Sequence, residues 1–337
     1  FLTLNRGKES VCIDLKSDQG REVFYDLVRK ADVVFDNFSV GVTQRLKIDH
    51  ATLSAINPRI ITCSVSGFGE TGPEPNRPAF DQVVQAMGGG MSITGFPEGE
   101  PARSGIPIGD LGGGLFGAMG ILSALVARGT TGRGQHIDVS MLDVQISLLN
   151  YMATMYLMSG IVPERIGNSH FVHVPYNAFK TKTGYIIIAC IGDAFFERIL
   201  DVIPHPALRA EKFLKQPARY AERDFINGII QEALLENTAE YWLGKLAAAR
   251  IPCGPVNDFS QALRDPQVVA RNMVVDVQLQ SGDTVSMPGN PIKLSDAEEK
   301  PFTPPPLLGE HTDAVLTGFL GYDAERIAPL KAAGIVQ

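Results

Sequence analysis

The chain contains few cysteines, and none of them is spaced for metal binding or for a disulfide framework. Its 337 residues include only Cys12, Cys63, Cys190 and Cys253, which form no C-x-x-C pair, and its six histidines show no metal-ligand spacing. We therefore predict no zinc site. The first three of these cysteines lie in apolar, strand-like runs, which predicts buried free thiols and fits a reducing cytoplasm.

The sequence also lacks the short motifs of several common enzyme classes. It has no G-x-x-x-x-G-K-[ST] phosphate loop and no serine in a G-x-S-x-G nucleophile elbow. Gly114, Gly117 and Gly120 repeat every three residues inside an apolar helical pattern, unlike the dinucleotide-binding G-x-G-x-x-G. They leave one helical face bare, which favours close packing over a Rossmann fingerprint. A nucleotide-dependent oxidoreductase is therefore disfavoured.

Positive charge is not in excess either. The net charge is −7 and the calculated pI is about 5.4, which argues against a nucleic-acid or anionic-membrane surface. The charge balance does not exclude a small phosphate-binding pocket, because such a pocket needs only a few local cations. No apolar run is expected to reach transmembrane length, because the longest candidate, Ile146 to Val162, contains Asn150 and Ser159.

Strands alternate with helices in the first part of the chain. Residues 1–5 and 10–15 are strand-like, and the apolar runs at 31–35, 59–65 and 135–140 predict further strands. The runs between them have helical spacing, which favours a parallel α/β sheet. The chain is long enough for two domains, and its pattern changes near Gly167 to predicted hairpins and helices.

The segment from Gly105 to Gly120 carries the strongest chemical signal. It places Asp110 on a glycine-rich turn before an apolar helix predicted over about 111–128. The dipole and free N–H groups of a helix N-terminus favour a carboxylate, so we expect Asp110 to be ionised at neutral pH. We also expect N–H groups near 112–114 to stabilise a developing oxyanion. On local spacing alone, an ordinary N-cap is the favoured interpretation of Asp110.

A second carboxylate, Asp81, lies at the start of a helix predicted from Phe80 to Met87. It can position a substrate or cap its own helix, and the cap is slightly favoured. His136 lies on a predicted strand, and its simplest interpretation is a surface residue or a satisfied core residue.

Eight motifs in this order resemble the family III CoA-transferases, typified by formyl-CoA and carnitine CoA-transferases. The related α-methylacyl-CoA racemases share most of the pattern. Each motif is weak alone, and the resemblance extends from Phe1 to near the C-terminus. The motifs are Asn5-Arg-Gly-Lys8 with Ile13-Asp-Leu-Lys16; Asp36-Asn-Phe38 with Gly41-Val-Thr-Gln-Arg45-Leu46; Ser64-Val-Ser-Gly-Phe-Gly-Glu-Thr-Gly-Pro73; Asp81 with Gln85-Ala86 and Thr94-Gly95; Gly109-Asp110; Gly132-x-Gly-Gln135; Ile251-Pro-Cys-Gly-Pro-Val256 with Asp265-Pro266; and Leu308-Gly-Glu-His-Thr312.

The resemblance implies a role for seven residues. Asp110 matches the catalytic carboxylate. Lys16 and Arg45 match cations that hold the CoA phosphates, for which Arg offers a fork of donors and Lys a point charge. Four further positions match the nucleotide and pantetheine path: Ile13, Asn37, Phe38 and Leu46. For Phe38 and Leu46 ordinary core packing is an equally good interpretation, and for Arg45 the alternative is a solvated charge.

The position before Asp81 distinguishes a transferase from a racemase. The racemase relatives carry a histidine there as a second proton-transfer group, whereas this chain has Phe80, which cannot accept a proton. The resemblance therefore implies transfer of CoA from an acyl-CoA to a free carboxylic acid, with a covalent intermediate on Asp110. CoA is then a substrate, and no tightly bound cofactor is expected. A non-catalytic CoA-binding protein is the other alternative.

The resemblance also implies an architecture. We expect an α/β fold with a large, open, parallel-sheet, Rossmann-like domain from residues 1–150 and 300–337 and a smaller α+β domain over 168–295. The linkers would span 151–167 and 296–306. It further implies an interlinked homodimer and an additional strand–helix unit before Phe1. The substrate acid is expected to meet the 88–108 loop and the small domain, where Arg103, Asn168, His170 and Tyr176 are candidates for a second carboxylate.

Overall fold

A computed structural model describes residues 1–337, and the chain divides into two compact units. Unit 1 comprises residues 1–90, 104–154 and 263–337, and unit 2 comprises 91–103 and 155–262. The expected small domain ended at 295, whereas residues 263–295 group with unit 1. Two side-chain hydrogen bonds link this segment to the rest of unit 1: Arg6 donates to the Pro288 carbonyl, and Gln280 donates to Glu310.

Unit 1 contains both ends of the chain and a parallel sheet. Its first elements are α1 (Leu2–Asn5), α2 (Asp18–Lys30), β1 (Val33–Asp36), α3 (Val42–Leu46), α4 (His50–Ile56), β2 (Ile61–Ser66) and α5 (Asp81–Met87). After α6 (Gly90–Ile93), which joins the units, come α7 (Ile108–Thr131), β3 (His136–Ser140) and α8 (Met141–Leu148). α9 (Tyr151–Ser159) leads into unit 2.

The expected α/β fold with a parallel sheet is confirmed. The strands are ordered β1-β2-β3, and both pairs are parallel, with Phe35 opposite Cys63 and Cys63 opposite Ile137. Every residue of the central strand β2 is buried, as expected for a strand covered on both faces. The Ser17 side chain caps α2 by accepting a hydrogen bond from the Gly20 amide.

Two strand predictions near the N-terminus are wrong. Residues 2–5 form the short helix α1, and the 10–15 segment contributes only an isolated antiparallel bridge between Ile13 and Val336. Ile13 packs against a buried cluster that includes Leu316 and Val336. The partner of this segment is therefore the C-terminal tail, far away along the chain.

The glycines of α7 allow it to lie close to its neighbours. A Cβ added at Gly113 would lie 3.0 Å from the Val65 side chain, and one at Gly117 would lie 3.5 Å from Cys63 Sγ. A Cβ at Gly112 would lie only 2.7 Å from Val144 of α8. Gly112, Gly113 and Gly117 therefore form the face that packs against β2 and α8. The predicted bare face is wrong at Gly114, which points away from both elements, with no heavy atom within 4 Å.

Helix α7 is also long and apolar enough to cross a membrane by length and composition alone. The expectation that no apolar run has this length is therefore wrong. The same test is passed by core helices of globular domains, and the glycine face of α7 is packed on β2. Its opposite side exposes large apolar residues: Leu111, Leu115, Met119, Leu122 and Val126.

The last part of unit 1 follows unit 2 in the chain. It contains α15 (Pro266–Ala270), the antiparallel hairpin β7 (Val274–Gln278) and β8 (Thr284–Pro288), α16 (Thr312–Ala314), a π-helical turn (Val315–Leu320) and α17 (Ala324–Ala332). Tyr322 and Arg326 both donate hydrogen bonds to the Asp26 carboxylate of α2. These bonds connect the C-terminal segment to helix α2.

Unit 2 is an α+β unit with its own core. It contains β4 (Tyr176–Lys180), β5 (Tyr185–Ala189), α10 (Asp193–Val202), 3₁₀ turns at Pro206–Arg209 and Glu211–Leu214, α11 (Gln216–Ala221), α12 (Arg223–Leu234), α13 (Ala239–Ala248), β6 (Cys253–Pro255) and α14 (Phe259–Ala262). The three strands form an antiparallel sheet. One cluster of apolar side chains, including Phe179, Ile188 and Phe196, fills the space between sheet and helices.

Two of the predicted buried thiols are confirmed. Cys63 and Cys190 are fully buried, and burial raises the pKa of Cys63 to about 11 and that of Cys190 to about 12. Cys12 is only half-buried, and all four cysteines are free. The two buried thiols therefore stay protonated at neutral pH and act as small apolar side chains.

Candidate active site

Helix α7 brings Asp110 to the carboxyl edge of the parallel sheet. Near its C-terminus, Arg128 donates to the carbonyl of Arg59, just before β2. Near its N-terminus, Gly113 faces Val65, close to the end of the same strand. The helix therefore runs antiparallel to the strands, and its first turn lies where open α/β sheets place their ligand sites. Asp110 lies in this first turn, and its side chain is exposed.

Asp81 caps α7 rather than its own helix. Its Oδ1 accepts a hydrogen bond from the Gly109 amide at 2.8 Å and a longer one from the Asp110 amide at 3.4 Å. Helix α5, which Asp81 begins, has no side-chain cap. The favoured prediction, a local cap, is therefore wrong, because the carboxylate satisfies the free N–H groups of a helix that begins 27 residues later.

Gln85, which belongs to the same motif as Asp81 but for which no role was predicted, holds the Asp81 carboxylate in place. Gln85 Nε2 donates to Asp81 Oδ2 at 2.7 Å, and Gln85 Oε1 accepts from the Ser104 amide at 2.9 Å. Gln85 is almost fully buried. The spacing of Asp81 and Gln85, four residues apart in a helical pattern, is the signal that would have paired them.

The environment raises the pKa of Asp110 above its ordinary value of 3.8. Partial burial is the larger cause, and the nearby negative charge of Asp81 is the second. The helix N-terminus acts in the opposite direction, because it favours the charged form. A more basic carboxylate is a stronger nucleophile when ionised, so the shift suits covalent chemistry.

The predicted oxyanion donors are absent from α7. The helix begins at Ile108, so the amides of Gly112, Gly113 and Gly114 lie within it and bond to carbonyls one turn earlier. The Leu111 amide already bonds to Pro107. The expectation of free N–H groups at 112–114 is therefore wrong, because the helix starts three residues before the predicted position.

Two of the candidate CoA-binding residues follow β1 at the carboxyl edge of the sheet. Asn37 Nδ2 donates to the carbonyl of Val65 at 2.5 Å, which ties the end of β1 to the end of β2. The Phe38 amide donates to Asp36 Oδ1 at 3.1 Å, and Phe38 is 45% exposed. The exposed ring excludes the core interpretation of Phe38 for this unit.

The two candidate phosphate ligands are free cations. Arg45 lies in the last turn of α3 and Lys16 precedes α2; both side chains are exposed, and neither forms an ion pair in the structure. Leu46, beside Arg45, is half-buried. Ile13 is also half-buried and packs against the buried cluster near the C-terminus.

Within unit 2, one candidate for carboxylate recognition has a fixed tautomer. His170 Nδ1 accepts from the amides of Val172 and His173 at 3.0 and 3.1 Å. A nitrogen that accepts twice carries no proton, so neutral His170 carries its N–H on Nε2. The ring lies 5.0 Å from that of Tyr176.

The racemase-type histidine is absent from the structure as from the sequence. Phe80 precedes α5 with 84% of its surface exposed. Among the helical residues that follow it, Asp81 to Met87, there is no histidine. Helix α5 therefore contributes the Asp81 carboxylate to the first turn of α7 and no histidine.

The sequence and the fold of the chain are similar to those of several known proteins. The family description "CoA-transferase family III" matches residues 1–312. The chain is 42% identical to the acetyl-CoA:oxalate CoA-transferase of Acetobacter aceti over 309 residues, covering 90% of this chain and 78% of that protein. It is 32% identical to the human succinyl-CoA:glutarate CoA-transferase, covering 100% of this chain and 77% of that protein. A solved CAIB/BAIF family protein from Brucella suis superposes with a TM-score of 0.82 at 37% identity, covering 94% of this chain and 82% of that one.

Proposed function

Because the chain belongs to the family III CoA-transferases, we propose that it transfers CoA between acids through a covalent intermediate on Asp110. The chain is an enzyme that moves CoA between an acyl-CoA and a carboxylic acid. The observation that carries the intermediate is the position of Asp110, an exposed carboxylate in the first turn of α7, whose backbone is held by Asp81.

Every intermediate of the proposed reaction is a reactive acyl group, so the free energy of the thioester bond is not lost to hydrolysis. An Asp110 oxygen attacks the thioester carbonyl, the C–S bond breaks, and a mixed anhydride and CoA thiolate form. The thiolate attacks the aspartyl carbonyl and releases the first acid, which leaves an aspartyl-CoA thioester. The acceptor carboxylate attacks the carbonyl of this thioester, the C–S bond breaks, and a second mixed anhydride and the CoA thiolate form. The CoA thiolate then attacks the carbonyl of the acceptor acid in this anhydride, which forms the new acyl-CoA and releases the Asp110 carboxylate. No ATP is consumed, because one thioester is exchanged for another.

The raised pKa of Asp110 supports this role. Covalent catalysis needs a nucleophile that is ionised during turnover yet basic enough to attack a carbonyl carbon. Burial and Asp81 make Asp110 more basic than a free aspartate. The hydrogen bonds from Gly109 and Asp110 to Asp81 fix the backbone of the nucleophile, which reduces the motion that must be lost in the transition state.

We place the phosphates of CoA at Arg45 and Lys16. The nucleotide and pantetheine parts of CoA would then lie along four further residues: Ile13, Asn37, Phe38 and Leu46. The support is that both cations are exposed and uncommitted and that Asn37 and Phe38 follow β1 at the carboxyl edge. Phosphate oxygens attract such cations strongly.

We propose dicarboxylic acids as the acid substrates. The two relatives described above are named for oxalate and glutarate, and both acids carry two carboxylates. A comparison of oxalate, succinate and glutarate with the corresponding monocarboxylic acids, read by mass spectrometry of the CoA products, tests this class.

We also propose a homodimer in a reducing cytoplasm, where four free thiols persist. Helix α9 and the residues after it support the dimer, because Leu157, Met158 and Ile161 are each more than 70% exposed. An apolar helix without a buried side is stable in water only when another surface covers it. Light scattering after gel filtration should give twice the mass of one chain, and a monomer would contradict the dimer.

Exchange of labelled CoA tests the catalytic role of Asp110. Asp110→Ala should abolish exchange between an acyl-CoA and a free acid, because no other nucleophile is proposed. Binding of CoA, measured by calorimetry, should persist in this variant, because its phosphates are held elsewhere. Retained exchange would refute the covalent role, and loss of both activities would point to misfolding of α7.

A further inference from the structure

A cavity of about 320 Å³ lies in unit 1 on the face of the sheet opposite α7. Successive strand residues point to opposite faces: Cys63 and Val65 face α7, whereas Thr62 and Ser64 line the cavity. His136 of β3 and His50 of α4 form part of its wall. The cavity is therefore separated from Asp110 by the sheet itself.

A chain of hydrogen bonds crosses the wall of this cavity. Thr62 Oγ1 lies 3.0 Å from His50 Nδ1 and 2.8 Å from His136 Nδ1, and His136 Nε2 lies 3.1 Å from Glu70 Oε2. The Glu70 carboxylate can only accept, so His136 carries a proton on Nε2. With His136 neutral, its Nδ1 accepts the Thr62 hydroxyl proton, and the Thr62 oxygen then accepts from His50 Nδ1.

This chain of hydrogen bonds fixes the tautomer of His50. Its proton lies on Nδ1, so Nε2 keeps a lone pair, and this nitrogen has no hydrogen-bond partner in the structure. Burial, and next the neighbouring His136, lower the pKa of His50, which keeps its ring neutral. The cavity wall therefore offers an uncommitted, oriented hydrogen-bond acceptor.

The lining decides which ligands are compatible. No lysine or arginine lines the cavity, whereas three carboxylates do, those of Asp36, Asp49 and Glu70, so anions are repelled. The structure contains no group of three His, Cys, Asp or Glu side chains arranged for a metal ion. Apolar contact is available from Val34 and Ile48, and the histidine rings offer stacking surfaces.

We propose that this cavity binds a small, neutral nitrogen heterocycle that carries an N–H group, with His50 Nε2 as the acceptor of its hydrogen bond. An aromatic ring fits the apolar and imidazole walls, and the N–H satisfies the one fixed acceptor. The site lies on the face of the sheet opposite α7 and is therefore distinct from the reaction centre at Asp110.

Two probes that differ only at the donor test the proposal. Benzimidazole has a ring N–H, and 1-methylbenzimidazole carries a methyl group in its place. Calorimetric titration of the full chain at pH 8 should show benzimidazole binding at least about fivefold more tightly, the usual effect of one hydrogen bond. A smaller ratio, or no benzimidazole binding, would overturn the proposal, and this comparison needs no variant to fold.

A variant then assigns the acceptor. His50→Asn can keep the contact with Thr62 and removes Nε2, so the preference for benzimidazole should disappear while binding of 1-methylbenzimidazole stays the same. His205→Asn makes the same change in unit 2 and should keep the full preference. A preference that persists in His50→Asn, or is lost in His205→Asn, would place the acceptor elsewhere and overturn the assignment.

Discussion

Asp81 accepts a hydrogen bond from the amide of Gly109 at 2.8 Å, so a carboxylate on one helix caps the N-terminus of another. In the capped helix, α7, Asp110 directly follows Gly109. The cap therefore does two things to the proposed nucleophile: it fixes its backbone, and it places a negative charge beside it. Asp81→Asn removes the negative charge while leaving an oxygen that can accept from the Gly109 amide.

Removal of the charge of Asp81 should extend activity to lower pH. The carboxylate of Asp81 helps to raise the pKa of Asp110, so Asp81→Asn lowers that pKa and keeps Asp110 ionised in more acidic solution. The acid limb of the kcat/KM profile should shift to lower pH. An unchanged limb, or a shift to higher pH, would show that Asp110 is not the group whose ionisation controls the rate.

Two glycines of α7 should respond in opposite ways to alanine. A Cβ at Gly112 meets Val144 at 2.7 Å, whereas one at Gly114 meets nothing within 4 Å. We expect Gly112→Ala to destabilise the protein by about 1–3 kcal/mol through overpacking. Gly114→Ala should stabilise it by about 0.5–1 kcal/mol, because alanine favours the helix. Urea denaturation measures both, and equal effects would contradict the described packing of α7.

The cations Arg45 and Lys16 should control binding of the acyl-CoA. Alanine at either position removes a phosphate contact made equally in the ground state and the transition state, so KM should rise by roughly tenfold with little change in kcat. Arg133, exposed just before β3 at the amino edge of the sheet, provides the control, and Arg133→Ala should leave KM unchanged. A fall in kcat alone would contradict this role.

Arg219 should be the most sensitive charged residue of unit 2. Its side chain is fully buried and donates to the carbonyls of Val174 and Phe213 and to the carboxylate of Asp193. Arg219→Ala leaves these acceptors without their donor and should cost about 3–5 kcal/mol. Arg223→Ala, with a partly exposed side chain, should cost less than about 1 kcal/mol. Thermal unfolding of both variants checks the difference.

Local periodicity was sufficient to predict most of the parallel sheet. The runs before Asp36 and Ser66 and the alternating segment that ends at Ser140 all became strands, because each carries its own apolar pattern. The 10–15 segment shows the same pattern but pairs only with the C-terminal tail at Val336. Its final structure depends on a contact between distant parts of the chain, which spacing does not encode.

The chemistry at Asp110 was only partly predictable for the same reason. The glycine-rich turn indicates a helix start and a carboxylate, and both are present. The partner of the helix N-terminus is Asp81, whose local pattern favours capping of its own helix. The start of α7 at Ile108 moves the amides of 112–114 into the helix. Tertiary contact, not local spacing, decides which donors are free.

Reduction of the enzyme during turnover tests the central claim most directly. Borohydride should reduce the acylated side chain of Asp110 to that of homoserine in the presence of an acyl-CoA, and mass spectrometry of the peptide that contains residue 110 detects the change. We predict homoserine at position 110 with acyl-CoA and unmodified Asp110 without it. Unmodified Asp110 in an enzyme that is actively exchanging CoA would contradict the covalent mechanism.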